Sequence, residues 1–290
     1  LVKRKKLRLK KSLLQKRQQP KKLLRKKRNN LLTVVSVLTS IMDRNYWEKI
    51  APAYNEEIFD VLQHDESKVI VSAIKKLASK KKTVIDMGCA VGKWLPILSP
   101  LFKKVVAVDI SAKNLAIAKA TFPDLKNVTF KRADMSHPRL PMKAVELVIC
   151  INAILTGDGK KRTIFFRTLS KCVKKNGHLI LVVPSLESSM YTSIIRDKWK
   201  IDREIQEKIS LRTAMQKWNH LQQGNVFIDG VATKHYVKEE LILLLSREGF
   251  VMDTIKKVEY NWRTEFHKPP RWLKAPYPWD WMVVAKKIKP

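Results

Sequence analysis

The sequence predicts a doubly wound α/β domain on a mostly parallel sheet, and three observations carry that reading. Apolar runs of strand length recur along the chain with helix-length stretches between them. The first run leads into a glycine turn and a helix-like segment, and the second ends in an acidic residue. Strands joined by crossover helices are buried on both faces, so they read as near-continuous apolar runs rather than as alternations.

Thr83–Met87 (TVIDM) is the first run, followed by the turn at residues 88–92 and an apolar-periodic segment through Phe102. Residues 105–109 (VVAVD) form the second, and Ser111 stands where the N-cap of a helix through Ala120 belongs. Val128–Arg132 is the third run and Val145–Ile151 the fourth, before a helix from about residue 160 to 173. Residues 179–183 (LILVV) make the fifth, closed by Pro184. Residues 185–232 then interrupt the rhythm: they are polar, helical in character around 201–221, and show no clear strand pattern. Order returns with a helix over 237–249 that ends at Gly249, a sixth strand over 251–260 and a seventh over 281–287.

Composition bounds the partners. The 290-residue chain is 45% apolar, as globular chains are, and no stretch approaches the ~20 apolar residues that a spanning helix requires. Lys and Arg number 59 against 26 Asp and Glu, a formal +33. The first 42 residues hold fifteen basic side chains and no acidic one, which leaves +18 for the rest. Residues 1–41 are therefore expected to be a basic tail or extension outside a functional domain of residues 42–290. Such a run offers a peripheral contact to anionic surfaces, and the basic body attracts polyanions in a salt-sensitive way. Cys89, Cys150 and Cys172 form no CxxC pair and the histidines no metal-binding spacing, so a reducing, cytoplasmic setting without a metal site is expected.

The chemistry concentrates at Val84-Ile-Asp86-Met-Gly88-Cys-Ala90-Val-Gly92. Glycines after a strand admit a ligand where a Cβ would clash, and the following helix start offers free N–H groups. Asp109 follows Gly88 by 21 residues at the end of the second strand, the place of an acidic partner for ribose hydroxyls. A nucleoside cofactor is expected. The pattern D-x-G-x-x-x-G differs from the G-x-G-x-x-G of dinucleotide sites and resembles motif I of the class I S-adenosylmethionine-dependent methyltransferases.

That resemblance implies roles for further residues. Asp86 corresponds to the acidic residue orienting the methionyl end, and Asp109 to the one that grips the ribose. Asp134 matches the residue that recognises the adenine amino group, and Met135 the one packing on the ring. Asn152 takes the position facing the sulfonium and the substrate. Ala90 departs from the glycine frequent in the family. The resemblance also implies a seventh strand, antiparallel, completing the sheet, and a cofactor cover in the stretch Tyr46 to Tyr54.

The acceptor is less legible. Residues 185–232 and 261–280 follow the fifth and sixth strands, so both start from the sheet edge where ligands of such folds bind. The second stretch interleaves Trp262, Phe266, Trp272, Tyr277 and Trp279 with basic side chains, which suits stacked bases or the wall of a small-molecule pocket. A small organic acceptor is the leading expectation. An RNA acceptor and a non-catalytic S-adenosylmethionine-binding role are the alternatives. His235 and Tyr191 flank the insertion as candidate bases; no catalytic residue is assigned.

Overall fold

The computed structural model describes residues 42–138, 142–202 and 210–289; the expectation for residues 1–41 lies outside them. The described chain starts with helix α1 (Arg44–Ile50), N-capped by Asp43, whose side chain accepts from the Tyr46 N–H. A 3₁₀ turn (Ala51–Ala53), α2 (Tyr54–Glu57), α3 (Val61–His64) and α4 (Val69–Leu77) follow. The regular alternation then runs through β1 (Thr83–Met87), α5 (Leu95–Leu98), β2 (Lys104–Asp109), α6 (Ala112–Thr121), β3 (Val128–Arg132) and β4 (Val145–Ile151). Next come α7 (Gly159–Cys172), β5 (Val173–Pro184) and α8 (Leu186–Trp199). Beyond them lie α9 (Leu211–Gln222), β6 (Asn225–Ile228), β7 (Val231–Lys234), α10 (Lys238–Arg247), β8 (Phe250–Glu259) and β9 (Trp279–Lys287).

The main sheet has seven strands in the order β3-β2-β1-β4-β5-β9-β8. The first five are parallel, and β9 inserts antiparallel between β5 and β8. Side chains alternate across it: Val84 joins Ile70, Ile74 and Leu98 on one face, whereas Ile85 and Met87 join Phe165, Phe166 and Leu169 on the other. Both faces are therefore covered, which is why β1, β4 and β5 read as unbroken apolar runs. Ser111 caps α6 as its position in the sequence requires, accepting from the Asn114 N–H at 3.1 Å.

The insertion holds more order than its composition indicates. Residues 185–232 contain α8, α9, β6 and the start of β7, so a β6–β7 hairpin stands where no strand pattern was expected. The hairpin turns at Asp229-Gly230, both with positive φ (+48° and +79°), the two-residue Asp-Gly loop of a type I′ turn. It is stitched to the sheet at two points, by an antiparallel bridge Thr156↔Thr233 and a parallel bridge Ser185↔Tyr236. The Tyr236 N–H donates to the Pro184 carbonyl at 2.8 Å, and its hydroxyl to the Ile154 carbonyl at 3.0 Å.

Candidate functional site

The carboxyl ends of β1, β4 and β5 open into a cleft of about 770 Å³. Gly88, Ala90 and Asn152 line it, roofed on one side by Tyr46, Trp47 and Tyr54 and on the other by α8 and the hairpin. The roof is fixed electrostatically: Glu48 on α1 accepts from the Ala112 and Lys113 N–H groups at the start of α6. A carboxylate at a helix N-terminus is favoured by the orphan donors and the helix dipole. The tyrosines and tryptophan thus wall the cleft as well as pack.

The glycine turn is tight. Gly88 has φ +82°, and a Cβ on it would fall 2.3 Å from the Ala153 Cβ. Ala90 also takes the left-handed conformation, at φ +46°, and its N–H donates to Asp109 Oδ2 at 2.9 Å. Asp109 accepts from the Ser111 N–H at 2.8 Å through Oδ1, so its buried carboxylate ties the turn after β1 to the turn after β2. Burial raises the Asp109 pKa, against the lowering effect of those N–H bonds. Asp86 is deeper still. Burial, then the charge of Asp109, pushes its carboxyl up to about 7, and its Oδ2 is buried without a partner. Burial, then the charge of Asp109, also raises the pKa of the nearby Tyr54 hydroxyl.

Asn152 follows β4 in a left-handed conformation (φ +47°) that asparagine tolerates. Its N–H donates to the Val182 carbonyl and its Nδ2 to Asp280 Oδ2, each at 2.9 Å, while its Oδ1 is buried and unpartnered. The remaining sequence candidates lie off this lining. Gly92 sits toward α5, with Leu95 Cδ1 against it. Asp134 is exposed, and its Oδ1 accepts from the Ser136 N–H and hydroxyl. Met135 is buried in the core beside Met87 and Val108.

The far wall brings in residues that sequence reasoning left unassigned. Asp280, on β9, is buried and accepts on Oδ2 from Asn152 and from the Tyr260 hydroxyl at 2.9 Å; burial raises its pKa against those bonds. A lone acid inside the apolar strand pattern Trp-Asp-Trp was the available signal. Thr192 and Glu265 also line this wall. Of the two candidate bases, His235 lines the cleft and Tyr191 does not: it packs on Trp262 and Trp279, its hydroxyl on the Pro276 carbonyl. His235 Nδ1 lies 3.0 Å from the Thr233 carbonyl, which can only accept, so Nδ1 carries the proton and Nε2 keeps its lone pair. Burial lowers the His235 pKa, so the ring stays neutral at neutral pH. Burial raises the pKa of all three cysteine thiols, and no described group of side chains could hold a metal ion.

The aromatic stretch after β8 is largely spent on itself. Trp262 and Phe266 stack at 5.3 Å and are buried with Ile195 and Ile201, whereas Trp272 is half exposed against Trp199.

Known proteins place this geometry. A methyltransferase of Invertebrate iridescent virus 6, so named as 235L without firm assignment, is 28% identical over 131 residues. That alignment takes in 42% of this chain and 46% of the viral protein, so the chain spans just under half of its relative's length. The fold is shared with solved methyltransferases. One from Mesorhizobium loti has 19% identity and TM-score 0.56, covering 79% of this chain and all (100%) of that one. The N-methyltransferase NodS of Bradyrhizobium japonicum, solved with S-adenosylhomocysteine, has 10% identity and TM-score 0.55 over 85% of this chain and 98% of its own. The sequence pattern of the family described as a methyltransferase domain matches residues 62–255. The chain belongs to that methyltransferase-domain family, the S-adenosylmethionine-dependent class that its glycine turn resembles.

Proposed function

We propose that the chain transfers the methyl group of S-adenosylmethionine to a small organic acceptor bound in the cleft. One observation carries the cofactor half: Asp86 Oδ2 and Asn152 Oδ1, on the neighbouring strand ends of β1 and β4, are buried acceptors without donors. Uncompensated polar burial is costly, and a methionyl ammonium supplies the missing donors. The residues present fit the cofactor. Gly88, Ala90 and Asn152 would face its methionyl end. Asp109, whose oxygens keep lone pairs beyond the bonds from the Ala90 and Ser111 N–H groups and Asn114 Nδ2, would take the ribose hydroxyls. Asp134 and Met135, which the resemblance assigns to the adenine, lie off the cleft lining. When bound, the cofactor supplies a methyl group on a sulfonium, so the protein has to align the acceptor and exclude water.

The size of the acceptor follows from the walls. A cleft of about 770 Å³ lies within the range of small-molecule sites. Buried and stacked on each other, Trp262 and Phe266 are not offered to bases, which weighs against RNA. Calorimetry tests the cofactor: S-adenosylhomocysteine should bind and NAD should not, and Asp109→Ala should weaken binding by about 1.5–3 kcal/mol. Tighter binding of NAD overturns the assignment. Methyl-labelled cofactor, incubated with a metabolite extract and separately with undermodified RNA, should label the metabolites. Label in RNA alone overturns the small acceptor, and binding without transfer favours a non-catalytic role.

A further inference from the structure

We infer that the acceptor enters the cleft as a small organic ammonium ion, received by Asp280, Glu265 and Thr192; this rests on the methyl-transfer reading above. The charge of the cleft runs against that of the chain. Lys and Arg outnumber Asp and Glu by 59 to 26 overall. Among the described cleft residues, the half built from residues 42–94 is balanced: Lys49 and Lys93 against Glu57 and Asp60, with Lys93 on Asp60 at 2.8 Å. The half built from residues 151–280 holds Asp229, Glu265 and Asp280 against Arg196 alone. An acidic pocket in a basic body concentrates cations and repels carboxylates and phosphates.

The hydrogen-bonding atoms agree independently. Thr192 is 3% exposed, and its Oγ1 has no partner. Both hydrogen bonds to Asp280 fall on Oδ2, and Oδ1 receives none. These are oxygens that can accept donors, and an ammonium nitrogen carries up to about three of them. Tyr260 adds aromatic surface, which attracts cations; the Trp279 ring already carries Lys257 Nζ at 3.5 Å from its centroid. Trp279 Nε1 is buried without an acceptor and calls for an oxygen elsewhere on the same small molecule.

An ammonium nitrogen has no lone pair to receive a methyl group until it sheds a proton. His235 stands where that proton can go. Tyr236 is pinned to Pro184, and Asn152 to Val182, so their backbones meet the same strand end two residues apart. His235 lines the same cleft as Asn152, and with its Nδ1 on the Thr233 carbonyl its Nε2 keeps a lone pair. The proton leaves the ammonium nitrogen for Nε2, giving a neutral amine and an imidazolium.

Probes alike in shape and different in charge test the acceptor class. Benzylammonium, benzyl alcohol and benzoate would each be titrated calorimetrically into the full chain saturated with S-adenosylhomocysteine. Benzylammonium should bind at least about tenfold more tightly than benzoate, with the alcohol between them. Glu265→Gln, at an accessible wall position, should cut benzylammonium affinity about threefold or more and leave S-adenosylhomocysteine affinity within about twofold. Asp280→Asn should cut it further. Benzoate binding as tightly as benzylammonium, no benzylammonium binding, or a preference that survives both substitutions overturns the inference. Should S-adenosylhomocysteine itself fail to bind, the methyl-transfer reading falls and this one with it. Binding of S-adenosylhomocysteine without benzylammonium overturns the acceptor class alone.

Discussion

Ala90 shows how a single residue tunes the turn. Its backbone holds a left-handed conformation that disfavours a Cβ, and the Asp109 carboxylate keeps it there through the N–H bond. Ala90→Gly should therefore stabilise the chain by about 1 kcal/mol in urea unfolding, with S-adenosylhomocysteine affinity held or improved. Asp86 makes a pH signature. Its folded pKa of about 7 lies above the ordinary 3.8, so the folded chain holds an extra proton between those values. Stability falls as pH rises through that window and levels off above it. Asp86→Asn cannot ionise, so from about pH 5 to about pH 7.5 it should lose less unfolding free energy than the wild type. The cleft-lining positions of Gly88 and Ala90 were legible because they follow a strand end in a motif contained in a few residues, and that of Asn152 because it follows the fourth apolar run. Asp280 was not, since its partner Asn152 lies 128 positions away and meets it only after β9 inserts beside β5.

At the scale of elements, Glu187 joins three of them. From the start of α8 it accepts from the Ser185 hydroxyl, the Lys238 N–H that opens α10 and the Trp281 indole on β9. Burial alone would raise its carboxyl, but these donors hold it below the ordinary carboxylate range. Glu187→Ala should cost about 2–3 kcal/mol of stability and speed amide exchange in α8 and α10 more than in β1 and β4. Glu187→Gln, which keeps an acceptor oxygen, should lose less. All seven strands of the main sheet were readable, and β1, β2, β4, β5 and β9 most plainly, because burial on both faces leaves a continuous apolar record. The β6–β7 hairpin was hidden because strands of four residues carry little periodicity. Its Asp229-Gly230 turn, flanked by Val226-Phe227-Ile228 and Val231-Ala232, was the readable mark.

Across the whole molecule, charge and core are separate matters. Among the described residues, the three core clusters are built from residues 61–285. A chain starting at Met42 should therefore fold and bind S-adenosylhomocysteine as the full chain does, checked by thermal melting and calorimetry. Removing fifteen basic side chains lowers the formal charge from +33 to +18, so binding to RNA or to anionic vesicles should show a shallower salt dependence. Loss of folded protein on truncation would place residues 1–41 inside the domain. Among the described residues no helix is long and apolar enough to cross a membrane, which matches the hydropathy of the sequence.

The bridge between Ser185 and Tyr236 gives the far wall an unusual independence. The chain leaves the sheet at Pro184 and returns beside it: the Leu186 N–H donates to the Tyr236 carbonyl, and the Tyr236 N–H donates to the Pro184 carbonyl. Everything between those two points is an excursion whose ends are already sealed together. Such an excursion can be exchanged as a cassette: a segment of another length or lining, grafted at the same two residues and keeping the Glu187 and Ser188 bonds to α10 and β9, leaves the strand register and the glycine turn where they are. The cost of closing the new excursion grows only slowly with its length, about 0.6 kcal/mol per doubling. One catalytic platform can thus be refitted for different acceptors by changing what lies between a single pair of paired residues.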